Sequence, residues 1–284
     1  MLNFKRKLAI YLVFALIGFS VLIWQNIYAE KAGLLEIALL DVGQGDAIYV
    51  ESPSGPQMLV DGGPRGQILE QLAGVMPFQD RTIDVIVITN PDADHIGGFL
   101  DVLKNYEVGK VIEPGTQSSS KTYAELEKMI SDKKIEKLIA RQGMSVDLGS
   151  GVHFDILFPD RDVSSWDRND GSVVGRLVYR GISGILTGDA TKKTESLVIE
   201  SFGGLIRSDF LKVGHHGSYT STGENFVKAV SPAFALISSG RNNRYGHPHE
   251  ETLATLKKIG ANILRTDELG TIILLSDGVK IWRK

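Results

Sequence analysis

Short apolar runs rich in β-branched residues recur along this chain, with stretches of helical spacing between them. Leu35–Leu40, Asp46–Glu51 and Met58–Val60 read as strands, the last two joined as a hairpin by Pro53-Ser54-Gly55-Pro56. Ile68–Leu72 starts a short helix, and Val85–Ile88 is a continuous apolar run of buried-strand type. A helix over 96–104 carries Ile96, Phe99, Leu100 and Leu103 at helical spacing. It is followed by a strand over 110–112, a helix over 122–131 and a strand near 135–139. The second half repeats the style. Phe154–Phe158, Arg176–Tyr179 and Gly184–Leu186 are strands, Thr194–Ser201 a helix, and Phe210–Val213 and Phe234–Ser238 strands again. Glu250–Ile259 closes as a helix, with strands Asn262–Leu264 and Thr271–Leu275 after it. Alternation of this kind predicts a layered α/β fold, built from two half-chains of similar composition, with helices packed on sheets.

One segment breaks the pattern. Residues 8–29 are almost all apolar, with only Ser20, Gln25 and Asn26 plainly polar, and Lys5-Arg6-Lys7 precedes them. That run is long enough to cross a hydrocarbon core of ~30 Å as a helix and exceeds the ~7–15 residues of a signal-peptide core. The expectation is a single-pass membrane anchor within 1–30 and a soluble body over 34–284. The basic cluster then stays in the cytoplasm and the body lies outside the cytoplasm. The alternative is a cleaved signal and a secreted protein.

Composition narrows the chemistry. The 284 residues are 43% hydrophobic and 23% charged, which suits an ordinary globular protein with a sizeable core. There is no cysteine, so any metal must be held by nitrogen and oxygen, and neither a disulfide nor a thiolate nucleophile contributes. The chain has 31 basic and 34 acidic residues, and setting aside Lys5, Arg6 and Lys7 widens the acidic excess. A broad basic surface for duplex nucleic acid is therefore not expected, although a local patch is compatible with this balance.

The chemistry concentrates after predicted strands. Thr89-Asn90-Pro91-Asp92-Ala93-Asp94-His95-Ile96-Gly97-Gly98 follows Val85–Ile88 and sets two carboxylates, an amide and an imidazole in one strand-to-helix turn. Such a cluster is costly to desolvate without a cation inside it, and a divalent metal is the natural occupant. Asp189 follows Ile185-Leu186, His215-His216 follow Leu211-Lys212-Val213, and His247 and His249 follow Phe234–Ser238. Of the six histidines, only His153 lies elsewhere.

These segments resemble the metallo-β-lactamase superfamily, whose metal signature is H-x-[HD]-x-D-H-x-G-G. The closest likeness is to the hydrolase domain of the ComEC-type competence proteins. The blocks that carry it run in family order: Leu40-Asp41-Val42-Gly43-Gln44-Gly45-Asp46-Ala47, Val60-Asp61-Gly62-Gly63, the Asn90–Gly98 segment, Leu186-Thr187-Gly188-Asp189-Ala190, Leu211-Lys212-Val213-Gly214-His215-His216-Gly217-Ser218 and Arg244-Tyr245-Gly246-His247-Pro248-His249. The resemblance implies an αββα sandwich after one N-terminal transmembrane helix, and two divalent ions, zinc or manganese. Asp94, His95 and His247 would hold one ion, Asp92 and His215 the other with Asn90 nearby, and Asp189 would bridge them. Asn90 stands where the family has its first histidine, which makes that site weaker and richer in oxygen.

The same resemblance gives roles to neighbouring residues. Asp61, Asp46 and His249 are expected to brace or orient the ligands, while Asp94, His216 and Lys212 serve the chemistry. Within each histidine pair the first is expected to bind metal and the second to orient a ligand, move a proton or touch substrate. Asn169 and Ser172 are expected to line the site. The implied activity is metal-dependent hydrolysis of an anionic phosphodiester, with nucleic acid as one candidate substrate. The alternatives are an envelope ester such as a phosphocholine ester, or a metal-binding homologue without activity. Protein partners are not legible in the sequence.

Overall fold

The structure is a computed structural model that describes residues 6–7, 10–20 and 33–284. It divides into a unit over Met1–Leu34 and a unit over Leu35–Lys284. In the first, residues 6–7 and 10–20 are helical, and Ile10, Tyr11, Phe14 and Phe19 are exposed. Among the described residues no helix is long and apolar enough to cross a membrane. The anchor expected over 8–29 falls in large part outside the described residues.

The second unit holds two facing sheets. Six strands come first: Leu35–Leu39 (β1), Ile48–Glu51 (β2), Gln57–Val60 (β3), Thr82–Val87 (β4), Glu107–Glu113 (β5) and Glu136–Ile139 (β6). Seven follow: Ser145–Asp147 (β7), Val152–Phe158 (β8), Val174–Tyr179 (β9), Ile182–Leu186 (β10), Phe210–Lys212 (β11), Phe234–Ile237 (β12) and Asn262–Arg265 (β13). Ile272–Ser276 (β14) and Ile281–Arg283 (β15) end the chain. The first sheet runs β15-β14-β1-β2-β3-β4-β5-β6 and the second β13-β12-β11-β10-β9-β8-β7. The sheets therefore do not divide the chain into two contiguous halves. After completing the second sheet, the chain returns and pairs β14 with β1 antiparallel, Leu35 opposite Ser276 and Leu39 opposite Ile272. The expected hairpin is present, with Ile48 opposite Val60.

Side-chain alternation explains the layering. On β1, Leu35, Ile37 and Leu39 point one way, into a core shared with Phe154, Ile156, Leu177 and Phe210 of the other sheet. Ala38 points the other way, into a second core with Ile68, Leu72, Phe99, Leu103, Leu126 and Ile130 from the helices over 68–75, 99–105 and 121–132. A third core sets Ile185, Leu211 and Ile237 against Val198, Phe226 and Leu256 from the helices over 192–202, 224–230 and 250–258. Three cores between four layers make an α/β/β/α sandwich. A strand buried on both faces reads as an unbroken apolar run, which is why the second half of β4 stood out in the sequence.

The short elements not legible there include β7, β15 and the helices Glu224–Val230 and Thr266–Leu269. In β7 only Val146 of Ser145-Val146-Asp147 is buried, so an edge strand of this length carries almost no pattern. The helix expected over 96–104 is split into Ala93–Ile96 and Phe99–Asn105 at Gly97-Gly98. A Cβ at Gly98 would lie 2.0 Å from the Gly62 carbonyl oxygen, so the metal-type turn and the β3 turn touch backbone to backbone there.

Candidate metal centre

Loops at the ends of neighbouring strands converge on one place between the sheets. Asp61 follows β3, Asn90 to His95 follow β4, Asp189 follows β10, and His215-His216 follow β11. Three of these residues have positive φ without being glycine: Asp61 at 56°, His215 at 47° and His216 at 55°. Left-handed backbone costs an L-residue roughly 1–2 kcal/mol, and strain of this kind collects at functional sites. Here it turns two consecutive histidines out of line with β11.

His95 and His216 are both fully buried and are held in the same way. His95 Nδ1 lies 2.8 Å from Asp61 Oδ2, and Asp61 is itself fixed by the Thr89 backbone N–H at 2.8 Å and the Thr89 hydroxyl at 2.5 Å. His216 Nδ1 lies 3.1 Å from the Ser238 carbonyl oxygen and 3.2 Å from Asp46 Oδ1. With acceptors at each Nδ1, the proton belongs on that nitrogen and Nε2 carries the lone pair. Both Nε2 atoms face the Asp189 carboxylate. His95 Nε2 is 3.1 Å from Asp189 Oδ2, while His216 Nε2 is 3.7 Å from Asp189 Oδ1 and 3.5 Å from Asp94 Oδ2.

The donor atoms fit a divalent cation. His95 Nε2, His216 Nε2 and Asp189 Oδ1 are buried and make no hydrogen bond. Each buried polar atom left so costs about 1–3 kcal/mol unless something else meets it. The donor atoms of Asp94, His95 and His216 lie within 4.8 Å of one another, as do those of Asp46, Asp189 and His216. The electrostatics carry the same demand for positive charge. Burial alone pushes the His216 pKa down, but Asp46 and Asp189 lift it to about 10. His95 is likewise driven well above its usual range against its burial by Asp189 and Asp61. Burial raises the Asp189 carboxyl, yet His95 and His216 hold it well below the usual range. Two imidazoles with two carboxylates suit zinc or manganese.

The sequence profile described as the metallo-beta-lactamase superfamily matches residues 40–241. The chain belongs to the metallo-beta-lactamase superfamily. It is 32% identical over 304 residues to ComE operon protein 3 of Bacillus subtilis (strain 168), covering 94% of this chain and 36% of that protein. To competence protein ComA of Neisseria gonorrhoeae it is 30% identical over 240 residues, 83% of this chain and 31% of that one. The chain thus spans about a third of the length of the curated relatives it matches, which are competence proteins of the ComEC type. The metallo-beta-lactamase fold protein YhfI from Bacillus subtilis superposes with a TM-score of 0.57 at 11% identity, over 88% of this chain and 100% of that one. The likeness carries the metallo-beta-lactamase α/β sandwich.

Against the superfamily's ligand pattern, the structure regroups several residues. The residue beside Asp94 and His95 is His216, where the sequence suggested His247. His247 stands one ring farther out, its centroid 6.2 Å from that of His216, with Nδ1 3.4 Å from Gln44 Nε2. Asn243 sets this position by accepting from the His247 N–H at 3.0 Å and donating to its carbonyl at 2.6 Å. His215 Nε2 is 3.7 Å from Asp189 Oδ2 and its Nδ1 is 3.1 Å from the Thr220 hydroxyl, so it flanks the centre. His249 Nδ1 accepts from the Tyr219 backbone N–H at 3.1 Å. Lys212 cannot meet a substrate as expected, because it is fully buried, paired with Asp46 and bonded to the Gly188 carbonyl. It neutralises the carboxylate that braces His216.

The Asn90 side of the centre is built differently. Asn90 Nδ2 donates to Asn169 Oδ1 at 2.7 Å, its Oδ1 accepts from the Asp92 N–H at 3.0 Å, and Asp92 Oδ1 pairs with Arg168 Nε at 2.9 Å. Ser172 is buried and donates to the Arg168 carbonyl at 3.4 Å. A groove of about 480 Å³ opens beside Asp94, walled in part by Gln44, Arg65, Arg244 and Tyr245. The Arg244 guanidinium lies 4.9 Å from the Tyr245 ring centre, and that ring stacks at 5.6 Å on His247. Arg168 and Arg65 went unnoticed in the sequence because an isolated arginine in a loop carries no pattern.

Proposed function

We propose that this chain is a metal-dependent hydrolase of phosphodiester bonds, with a nucleic acid as the favoured polymer. The observation that carries the reading is the convergence of His95 Nε2, His216 Nε2 and Asp189 Oδ1, buried and unbonded, beside a groove walled by arginines and an exposed tyrosine. A divalent ion held there by His95, His216, Asp189 and Asp94 would polarise a phosphoryl oxygen and supply an activated water. Asp61 and the Ser238 carbonyl keep the two imidazoles in the tautomer that presents Nε2. Asp94 is partly exposed at the groove, so a carboxylate oxygen left free by the ion would be placed to accept a proton from an attacking water. Arg65 and Arg244 bring positive charge to an anionic chain, and Tyr245 offers a face for a base or sugar. Lys5-Arg6-Lys7 ahead of the apolar run supports a body carried outside the cytoplasm by an N-terminal anchor.

The test uses the detergent-purified full chain, with and without manganese or zinc. Substrates are bis-(p-nitrophenyl) phosphate, labelled single- and double-stranded DNA, p-nitrophenyl phosphorylcholine and nitrocefin. Metal-dependent cleavage of the first two, lost in His216→Ala, is the expected result. Cleavage of the phosphocholine ester alone would move the assignment to an envelope ester, and cleavage of nothing would make the chain a metal-binding homologue.

A further inference from the structure

Within the superfamily fold, the pole made by Asn90 and Asp92 is occupied by the chain's own groups. Asn90 is fully buried, with its amide nitrogen on Asn169 and its oxygen on the Asp92 N–H. The Asp92 carboxylate is ion-paired with Arg168. No atom of the buried Asn90 is among the buried side-chain atoms left without a hydrogen bond, whereas Asp46 Oδ1, His95 Nε2, Asp189 Oδ1 and His216 Nε2 are such atoms at the His95–His216 pole. Among the described residues, none of the side-chain groups placed to hold a metal includes Asp92, His215 or His247.

We propose that this chain holds a single divalent ion, at His95, His216, Asp189 and Asp94, and that the Arg168 guanidinium stands at the second pole as the binding group for a substrate phosphoryl oxygen. Asp92 is the N-cap residue of the Ala93–Ile96 helix that carries Asp94 and His95, so its partner Arg168 sits beside the centre. The Arg168 side chain is 43% exposed and meets Asp92 through Nε at 2.9 Å. A planar guanidinium, partly exposed, is suited to an anionic oxygen, and its charge is fixed at any working pH.

The loop that carries Arg168 is anchored. Asp170 accepts from the Thr191 hydroxyl at 2.6 Å and from Lys193 Nζ at 2.8 Å, and its carbonyl accepts from the Thr194 hydroxyl at 2.6 Å. Those three residues directly follow Asp189 and Ala190, so the loop with Arg168 and the loop with Asp189 are tied together. The ion count is independent of the proposed substrate, while the role of Arg168 rests on the reading of the substrate as a phosphoryl compound.

The full chain is stripped of metal, re-equilibrated with manganese or zinc, and its bound ion counted by elemental analysis. One ion per chain is expected in the wild type and in Asp92→Asn, and none in His216→Ala. Two ions per chain in the wild type, with one lost in Asp92→Asn, would overturn the single-ion proposal. The second arm measures inorganic phosphate binding to the metal-loaded chain by calorimetry. Arg168→Ala should weaken it at least tenfold with the ion count unchanged, and Arg168→Lys should recover part of the loss. Phosphate affinity unchanged in Arg168→Ala would overturn the role of Arg168, whether or not any phosphodiester is cleaved. Circular dichroism of each variant against wild type separates these outcomes from misfolding.

Discussion

Both poles of the centre draw on the loop after β4, yet they differ in what their polar atoms lack. At His95 and His216 each ring is fastened through Nδ1 and left unbonded at Nε2, facing an Asp189 oxygen that is also unbonded. At Asn90 and Asp92 the amides hold each other and the carboxylate holds a guanidinium. Charge alone would not separate these poles, since both contain carboxylates. What separates them is satisfaction: at one pole the polar groups pair with one another, and at the other buried donor atoms are left unbonded.

The sharpest way to break this comparison is Asp189→Ala. Asp189 is the carboxylate that faces both imidazoles, so its loss should abolish turnover and most bound metal. Full metal content and full turnover in that variant would remove the basis for the centre. Asp61→Ala should be milder, because it leaves all four proposed ligands in place and frees only the His95 ring. A loss of about 10–100-fold in metal affinity is expected, as for other groups that orient a ligand. Titration with metal indicators measures it, and an affinity equal to wild type would mean that the Asp61 contact does not matter.

Lys212→Met tests the support beneath the centre. The Lys212–Asp46 pair is buried, and removing one partner of such a pair costs about 3–5 kcal/mol because the other charge is left alone. Denaturant unfolding should show that loss. Asp46→Asn combined with Lys212→Met should recover part of it, because the stranded charge is gone. No destabilisation in the single variant would show that the pair contributes little.

Much of this was readable from residue order, and the failures have physical causes. The strand-end placement of Asp94, His95 and Asp189 was visible because the last residues of β4 and β10, Val85-Ile86-Val87 and Ile185-Leu186, are buried and apolar. His215 and His216 are adjacent, so spacing could not choose between them. The choice is made by two successive left-handed residues, which turn the His216 ring inward between Ser238 and Asp46. The return of β14 and β15 to the first sheet is a pairing between residues far apart in sequence, which alternation within a strand does not encode. Arg168 belongs to the same class, since only the fold brings it to Asp92.

A smaller effect concerns Glu195, which holds the loop after His216 by accepting from the Thr222 and Gly223 N–H groups at 2.5 and 2.8 Å. Its burial raises its pKa from 4.5 to about 7, against those hydrogen bonds and Lys192. Between these values the folded chain binds the proton more tightly than the unfolded chain. This contribution to stability is therefore full below about pH 4.5 and is lost as the pH rises through about 7. Glu195→Gln should flatten that part of the stability profile, measured by denaturant unfolding at several pH values. An unchanged slope would place the titration elsewhere.

The most direct test of the account is calorimetric titration of the metal-free full chain with zinc or manganese, comparing His216→Ala with His247→Ala. The centre described here predicts that His216→Ala loses most of the affinity while His247→Ala binds the ion nearly as wild type does. Loss of binding in His247→Ala, with binding retained in His216→Ala, would contradict it.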